Sequence, residues 1–280
     1  MKIQFLGTAA CEGIPGLFCS CETCKTARRT GGKNIRTRTQ ALVDDALLID
    51  FPADTLSHCY TYGVDLTKIK HCIITHTHFD HLHCADIINR KPGFSDLGEN
   101  DPFRFYGPDG TMKTIYDAVS PKLHTMEGVV ELHPIELYQP FQAGDFSVTA
   151  LEATHDETSF PVFYIIENKE GKRLLYGTDT NFFCDSVWAY LEKEKPRLDF
   201  VTLDCTAANV PKMKYIGHMN LADNVKVKTR LMEIGCADEK TVFCSNHFSH
   251  NGQDVLYEEF SVIAKKEGFL TSYDGMIAEF

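Results

Sequence analysis

Residues 75–81 read Thr-His-Thr-His-Phe-Asp-His, which places His76, His78, Asp80 and His81 within six residues, directly after the apolar run 72–75. Neutral imidazoles and carboxylates are the usual ligands of zinc, iron and manganese. A turn leaving a buried strand can aim alternate side chains at two adjacent ions. A solvated histidine-rich turn is the competing reading. The cluster constrains the fold: a buried strand must end here, at an edge where further ligands arrive from elsewhere in the chain.

Such partners recur at the ends of other apolar runs. Residues 148–154 lead into His155, 173–178 into Asp179 and 241–246 into His247, while the runs 46–49 and 200–203 stop at Asp50 and Asp204. Their β-branched content and nearby glycines or prolines favour strands over buried helix segments. Chance would scatter His and Asp over both edges of a sheet, so their shared position predicts convergence on one site. Asp50 and Asp204 also have an ordinary reading as turn formers or helix N-caps.

The H-x-H-x-D-H cluster together with these strand-ending residues resembles the metallo-β-lactamase superfamily. The resemblance implies an α/β fold, the αββα sandwich of two sheets flanked by helices, and two catalytic divalent ions, Zn, Mn or Fe. In that pattern His76, His78 and His155 hold the first ion, Asp80, His81 and His247 hold the second, and Asp179 bridges them. Asp50 and Asp204 match carboxylates that orient imidazole N–H groups.

A second constellation lies near the N-terminus, where Cys19, Cys21 and Cys24 form a C-x-C-x-x-C array after Gly13-Ile14-Pro15. Three thiols need a fourth partner to close a tetrahedral zinc site, and His250, three residues after His247, is the candidate. Three structural or redox cysteines without metal are the competing reading. The combination resembles the PhnP-type phosphodiesterases, where such an array binds one structural zinc completed by a histidine near the C-terminus. That match runs from Phe5 to Met276 and implies an N-terminal zinc-binding cysteine loop on the sandwich. His218, in Gly217-His218-Met219-Asn220, matches a histidine that lies over the metal pair in those enzymes and contacts the phosphate or protonates the leaving oxygen. Asn220 reads as a helix N-cap. The implied reaction is hydrolysis of a small, cyclic phosphodiester by a hydroxide held between the two ions, with His218 and Asp80 as the catalytic side chains. PqqB-like proteins resemble this chain in the cysteine array, so a role in cofactor biosynthesis is the alternative, beside a small-nucleotide or RNA phosphodiesterase of the same superfamily.

Composition sets limits. A chain of 280 residues that is 43% hydrophobic suits one large core, so residues 1–280 are expected to form a single domain. Eleven cysteines, an odd count with most lying singly in apolar runs, favour a reducing cytoplasm over disulfides. No signal-like or membrane-length apolar run is present, so no membrane partner is expected. A net charge of −11 argues against long nucleic acid and is compatible with a small phosphorylated substrate held by cations. A homodimer is left open. The densest basic stretch, Arg28, Arg29, Lys33, Arg36 and Arg38, reads as a solvated loop beside the cysteines rather than a phosphate site. His58, His71, His83, His124 and His133 lack recurring partners and read as structural or surface residues. Arg90 reads as an ion-pair or substrate residue, and Cys84, where the family commonly has Gly, suggests a shifted helix start.

Strands are expected near 2–7, 40–50, 71–75, 103–106, 128–133, 147–153, 161–167, 173–178, 199–203, 241–244 and 276–280. Helices are expected near 53–61, 82–90, 111–119, 184–193, 221–234 and 254–266.

Overall fold

A computed structural model describes residues 1–97, 102–211 and 217–280. Two seven-stranded sheets form its centre. The first runs, edge to edge, Ile277–Glu279, Lys2–Gly7, Gln40–Val43, Leu47–Ile49, His71–Ile73, Phe103–Gly107 and Val130–Pro134. The second runs Leu270–Thr271, Val242–Asn246, Phe200–Asp204, Arg173–Gly177, Val162–Glu167, Phe146–Glu152 and Pro140–Ala143.

Period-two burial explains why the sheets stack. Along Val162–Glu167, Val162, Tyr164 and Ile166 enter a core shared with Phe5, Ile49 and Ile73 of the other sheet, whereas Phe163 and Ile165 face outward beneath Val187, Trp188 and Val227 of the covering helices. On the far side, Leu48, Cys72 and Phe105 pack under Ile87, Met112 and Ile115. Three apolar layers between four layers of structure make the αββα sandwich. The helix Leu221–Glu233 shows the local logic: Asn220 caps it by accepting from Asp223 N at 2.8 Å, and Leu221, Val227 and Leu231 bury one stripe.

The expected run 40–50 is two strands around a turn at Asp44 and Asp45, both with positive φ. The edge strands Pro140–Ala143 and Leu270–Thr271 and the helix Glu22–Thr30 were not foreseen. The helix expected over 82–90 is one α turn, Cys84–Ile87, tightened into a 3-10 turn at Ile88–Arg90. Among the described residues no helix is long and apolar enough to cross a membrane.

Strand direction positions the site. Leu47–Ile49, His71–Ile73 and Phe103–Gly107 are mutually parallel, as are Arg173–Gly177, Phe200–Asp204 and Val242–Asn246. Their carboxyl ends therefore meet at one edge, the usual place for a ligand in such sheets. The sheets are tied there by Tyr164 OH donating to Ile74 O at 2.6 Å and Val162 N donating to Thr75 O at 2.9 Å.

Candidate metal centre

Three of the strands that end at this edge turn sharply. Asp50, Asp179 and His247 all adopt left-handed backbone, with φ of 67°, 52° and 62°. Non-glycine residues seldom do so, and such strain persists where surrounding structure enforces it. The turns bring the expected residues together. One ligand atom from each of His76, His78 and His155 lies within 4.8 Å of the others, and the same holds for Asp80, His81 and His247. In the first group His76 Nε2 and His155 Nε2 stand 3.0 and 3.2 Å from His78 Nδ1. Asp179 lies between the groups: its Oδ2 is 3.1 Å from both His81 Nε2 and His247 Nε2, and its Oδ1 is 3.9 Å from His155 Nε2.

These contacts have the geometry of a ligand set rather than of mutual hydrogen bonds. His81 Nε2, Asp179 Oδ2 and His247 Nε2 are buried, close together, and make no hydrogen bond. Buried polar atoms are rarely left so, because each costs roughly 1–3 kcal/mol unpaired. Asp50, Asp80, Asp179 and Asp204 are buried in the same cluster, and among the described residues no Lys or Arg lines the cavity of about 360 Å³ above it. Four buried carboxylates with imidazoles as the basic groups nearby, among the described residues, fit divalent cations.

Neighbouring groups fix the imidazoles. His81 Nδ1 donates to Asp50 Oδ2 at 2.7 Å, and Thr75 donates through N and Oγ1 to Asp50, with its hydroxyl 3.0 Å from His76 Nδ1. Asp204 accepts from Asp179 N, Thr206 N, Met219 N and His218 Nδ1, the last at 2.8 Å. Thr206 Oγ1 is 2.8 Å from His247 Nδ1. Burial pushes the Asp50 carboxyl up and the His76 imidazole down. Burial would lower His81 too, but Asp179, Asp50 and Asp80 raise it well above its ordinary value.

His218 is stacked on His247 with ring centroids 5.6 Å apart and lines the cavity. Burial would depress its imidazole, yet Asp204, Asp179 and Asp80 push it up to about 9. The part of its loop at 214–216 lies outside the described residues. Gly217 precedes it with φ 101°, and a Cβ there would meet His155 Nδ1 at 2.7 Å, so this position requires glycine.

The cysteine array is also assembled. Cys19, Cys21 and Cys24 and His250 converge within 4.8 Å, with the Cys19 and Cys21 sulfurs 3.7 and 3.8 Å from His250 Nδ1. Gly16 leaves the space for this: a Cβ there would meet His250 at 3.1 Å. The basic stretch is solvated only in part, with Arg28, Arg29 and Lys33 exposed. Arg36 is only 2% exposed, donating to Thr8 and Ser272 and lying over Phe248, while Arg28 clamps the carbonyls of Gly16 and Cys19. Arg38 bonds Cys11 O and pairs with Asp54. Arg90 lies away from the histidines, donating to Val129 O beside an apolar cavity of about 500 Å³ on the outer face of the first sheet that no histidine lines. His58 bonds Gln40 and Thr37, His71 approaches Tyr106 OH, and His83 and His133 face Asp86 and Glu131, none in the cluster.

Sequence reasoning missed Asp156, whose Oδ2 is 3.2 Å from His78 Nε2, and Glu12, which bonds Ser249 and faces His250 Nε2 at 3.8 Å. Asp156 sits beside His155 in the chain, which was the only available signal; Glu12 is joined to its partners by folding alone.

Residues 48–236, more than half of the chain, match the Beta-lactamase superfamily domain. The chain belongs to the metallo-β-lactamase superfamily. Proteins of this superfamily are typically hydrolases that use divalent metals such as zinc. The solved structure of Zn²⁺-bound PqqB from Methylobacterium extorquens is similar, with TM-score 0.77, 18% identity and complete coverage of both chains. A diphosphatase from the PhnP family gives TM-score 0.74 at 19% identity over 100% of this metallo-β-lactamase chain and 97% of that one. Among curated relatives, an octanoyltransferase from Porphyromonas gingivalis (strain ATCC BAA-308 / W83) is 26% identical over 167 residues, 55% of this chain and 31% of that protein. Matches to the curated relatives cover 31% to 55% of their length.

Proposed function

We propose that this chain is a metal-dependent phosphodiesterase that hydrolyses a small, cyclic phosphodiester, with two cations on the His/Asp cluster and one zinc on Cys19, Cys21, Cys24 and His250. The observation that carries the reading is the pair of three-residue groups joined by Asp179, whose Oδ2 faces His81 and His247 at 3.1 Å without a hydrogen bond. Bound there, two divalent cations supply an activated water and offset charge on the phosphoryl oxygens.

The chain's own residues do the rest. Asp50 and Asp204 hold the imidazoles in orientation, and Asp80 completes the second group. With Nδ1 of His218 held by Asp204, its Nε2 is the nitrogen left to donate a proton to the leaving oxygen. Cys11 lines the same cavity, where burial and the Glu12 carboxylate push its thiol up to about 12.

Bis(p-nitrophenyl) phosphate is expected to be cleaved faster than p-nitrophenyl phosphate; the reverse order would convert the reading to a phosphatase. Phosphoanhydrides belong in the same panel, since a similar structure is a diphosphatase. An alkoxide leaves poorly without a proton, so His218→Ala should slow alkyl or ribose diesters by about a hundredfold to ten-thousandfold. Nitrophenyl esters, whose leaving group is a weak base, should lose far less, with both metals retained. Equal losses on the two ester types would remove the acid role. PqqB-like cofactor chemistry is the second reading, favoured by the likeness to zinc-bound PqqB. Oxygen consumption in the absence of diester turnover would select it.

A further inference from the structure

We propose that the cleft beside His155 is the subsite for the non-phosphate part of the substrate, and that it takes a nucleobase stacked on Phe160. The proposal rests on the phosphodiesterase reading and names its substrate class.

The cleft has a volume of about 360 Å³ and is bounded by Pro108, Leu137, Glu152, His155, Glu157 and Phe160. His155 also lines the catalytic cavity, so the two spaces meet at one imidazole. Among the described residues the carboxylates lining the cleft are Glu152 and Glu157, which disfavours phosphate there and favours groups that carry hydrogen-bond donors. Glu152 already accepts from Ser186 Oγ at 2.7 Å and Tyr138 OH at 3.3 Å; Glu157 supplies further acceptor oxygens for N–H donors.

Phe160 is the unusual residue. It ends the turn Glu157–Ser159 in left-handed backbone, φ 54° and ψ 55°, a position that glycine or asparagine fills without strain. That turn is fixed to the metal-cluster loop by Thr77 N donating to Ser159 O at 3.1 Å. One side of the ring rests on Gly110, where a Cβ would come within 2.5 Å of it, and the side chain remains 43% exposed. Strain retained in a bulky, half-exposed aromatic beside a catalytic cluster points to ligand contact. Aromatic faces stack any nucleobase. Among the described residues Phe160 is the aromatic ring that lines the cleft, beside Pro108 and Leu137, whereas quaternary ammonium ligands are held in cages of several aromatic rings.

The test compares wild type, Phe160→Asn and Phe160→Tyr on adenosine 2′,3′-cyclic phosphate and on the matching methyl riboside cyclic phosphate, which lacks the base. Asparagine should raise KM for the nucleotide by about tenfold with kcat little changed, as loss of one stacking contact predicts. It should leave the base-free ester within about twofold and leave Tm unchanged or higher, because asparagine tolerates the backbone angle. Tyrosine should restore the nucleotide KM. Calorimetric titration with adenosine 3′-monophosphate reads the subsite without turnover. Equal effects on both esters, or a lower Tm with neither KM altered, would make Phe160 a packing residue and overturn the proposal. A stronger dependence for glycerophosphocholine would also overturn it, in favour of a cationic group. If wild type cleaves neither ester while the titration still depends on Phe160, the diesterase reading falls and the subsite stands.

Discussion

Asp179→Ala is expected to leave purified protein with at least one fewer catalytic ion per chain. Two cations about 3.5–4 Å apart repel unless an anion lies between them, and Asp179 is the only carboxylate within 3.1 Å of both His81 Nε2 and His247 Nε2 among the described residues. Even residues that only orient ligands change affinity by about 10- to 100-fold, so loss of the shared carboxylate should cost at least about a hundredfold. Elemental analysis after dialysis decides the matter, and full occupancy of both positions would count against the bridge. Activity alone does not, since many lesions nearby abolish it. Asp179→Asn, whose side chain suits the same positive φ, should retain more metal than the alanine variant if geometry contributes beside charge.

Cys21→Ala should remove one tightly held zinc and lower Tm by on the order of 10 °C, the scale of a loss of a few kcal/mol in a chain of this size. Thiolate sites are closed and contribute directly to folding, whereas a catalytic pair is open to chelators. The helix Glu22–Thr30 buries little besides Cys24 and Ala27, so its anchorage depends on the sulfur cluster and on the Arg28 clamp. Cys184→Ala, a partly exposed cysteine outside the cluster, serves as the control. A Cys21 variant that melts like wild type and keeps all its zinc would refute the zinc-knuckle assignment.

The candidate ligands were legible because His155, Asp179 and His247 directly follow apolar runs while His76, His78, Asp80 and His81 crowd the six residues after another, a signal that survives without any knowledge of pairing. His76 and His247, far apart in sequence, could be associated because both follow strands that had to end at one edge. The helix Glu22–Thr30 was not legible: Thr, Lys and Arg fill it, and with two buried positions it has no apolar period to read. Pro140–Ala143 is an edge strand half in solvent, and Leu270–Thr271 has two residues, so neither builds an alternating pattern. Arg36 shows the opposite failure. A basic stretch reads as solvated, yet the fold buries this guanidinium over Phe248, where desolvation pulls it down to about 10. Asp204 was legible as a strand-ending carboxylate, but its partners Thr206, Met219 and His218 became visible only once the following loop folded back over it.

The candidate ligands cluster at one edge, and the opposite edge carries three short returns: the turn at Asp44 and Asp45, Gly144 before Phe146, and the loop at Asn168 and Gly171. Asn168 Nδ2 bonds Asp44 Oδ2 at 3.1 Å, stitching the two sheets together at the edge opposite the histidine cluster. The molecule thus has a working end and a handle. A reporter peptide spliced into one of those returns, or a surface tether attached there, would hold the protein with its histidine cluster facing away from the support.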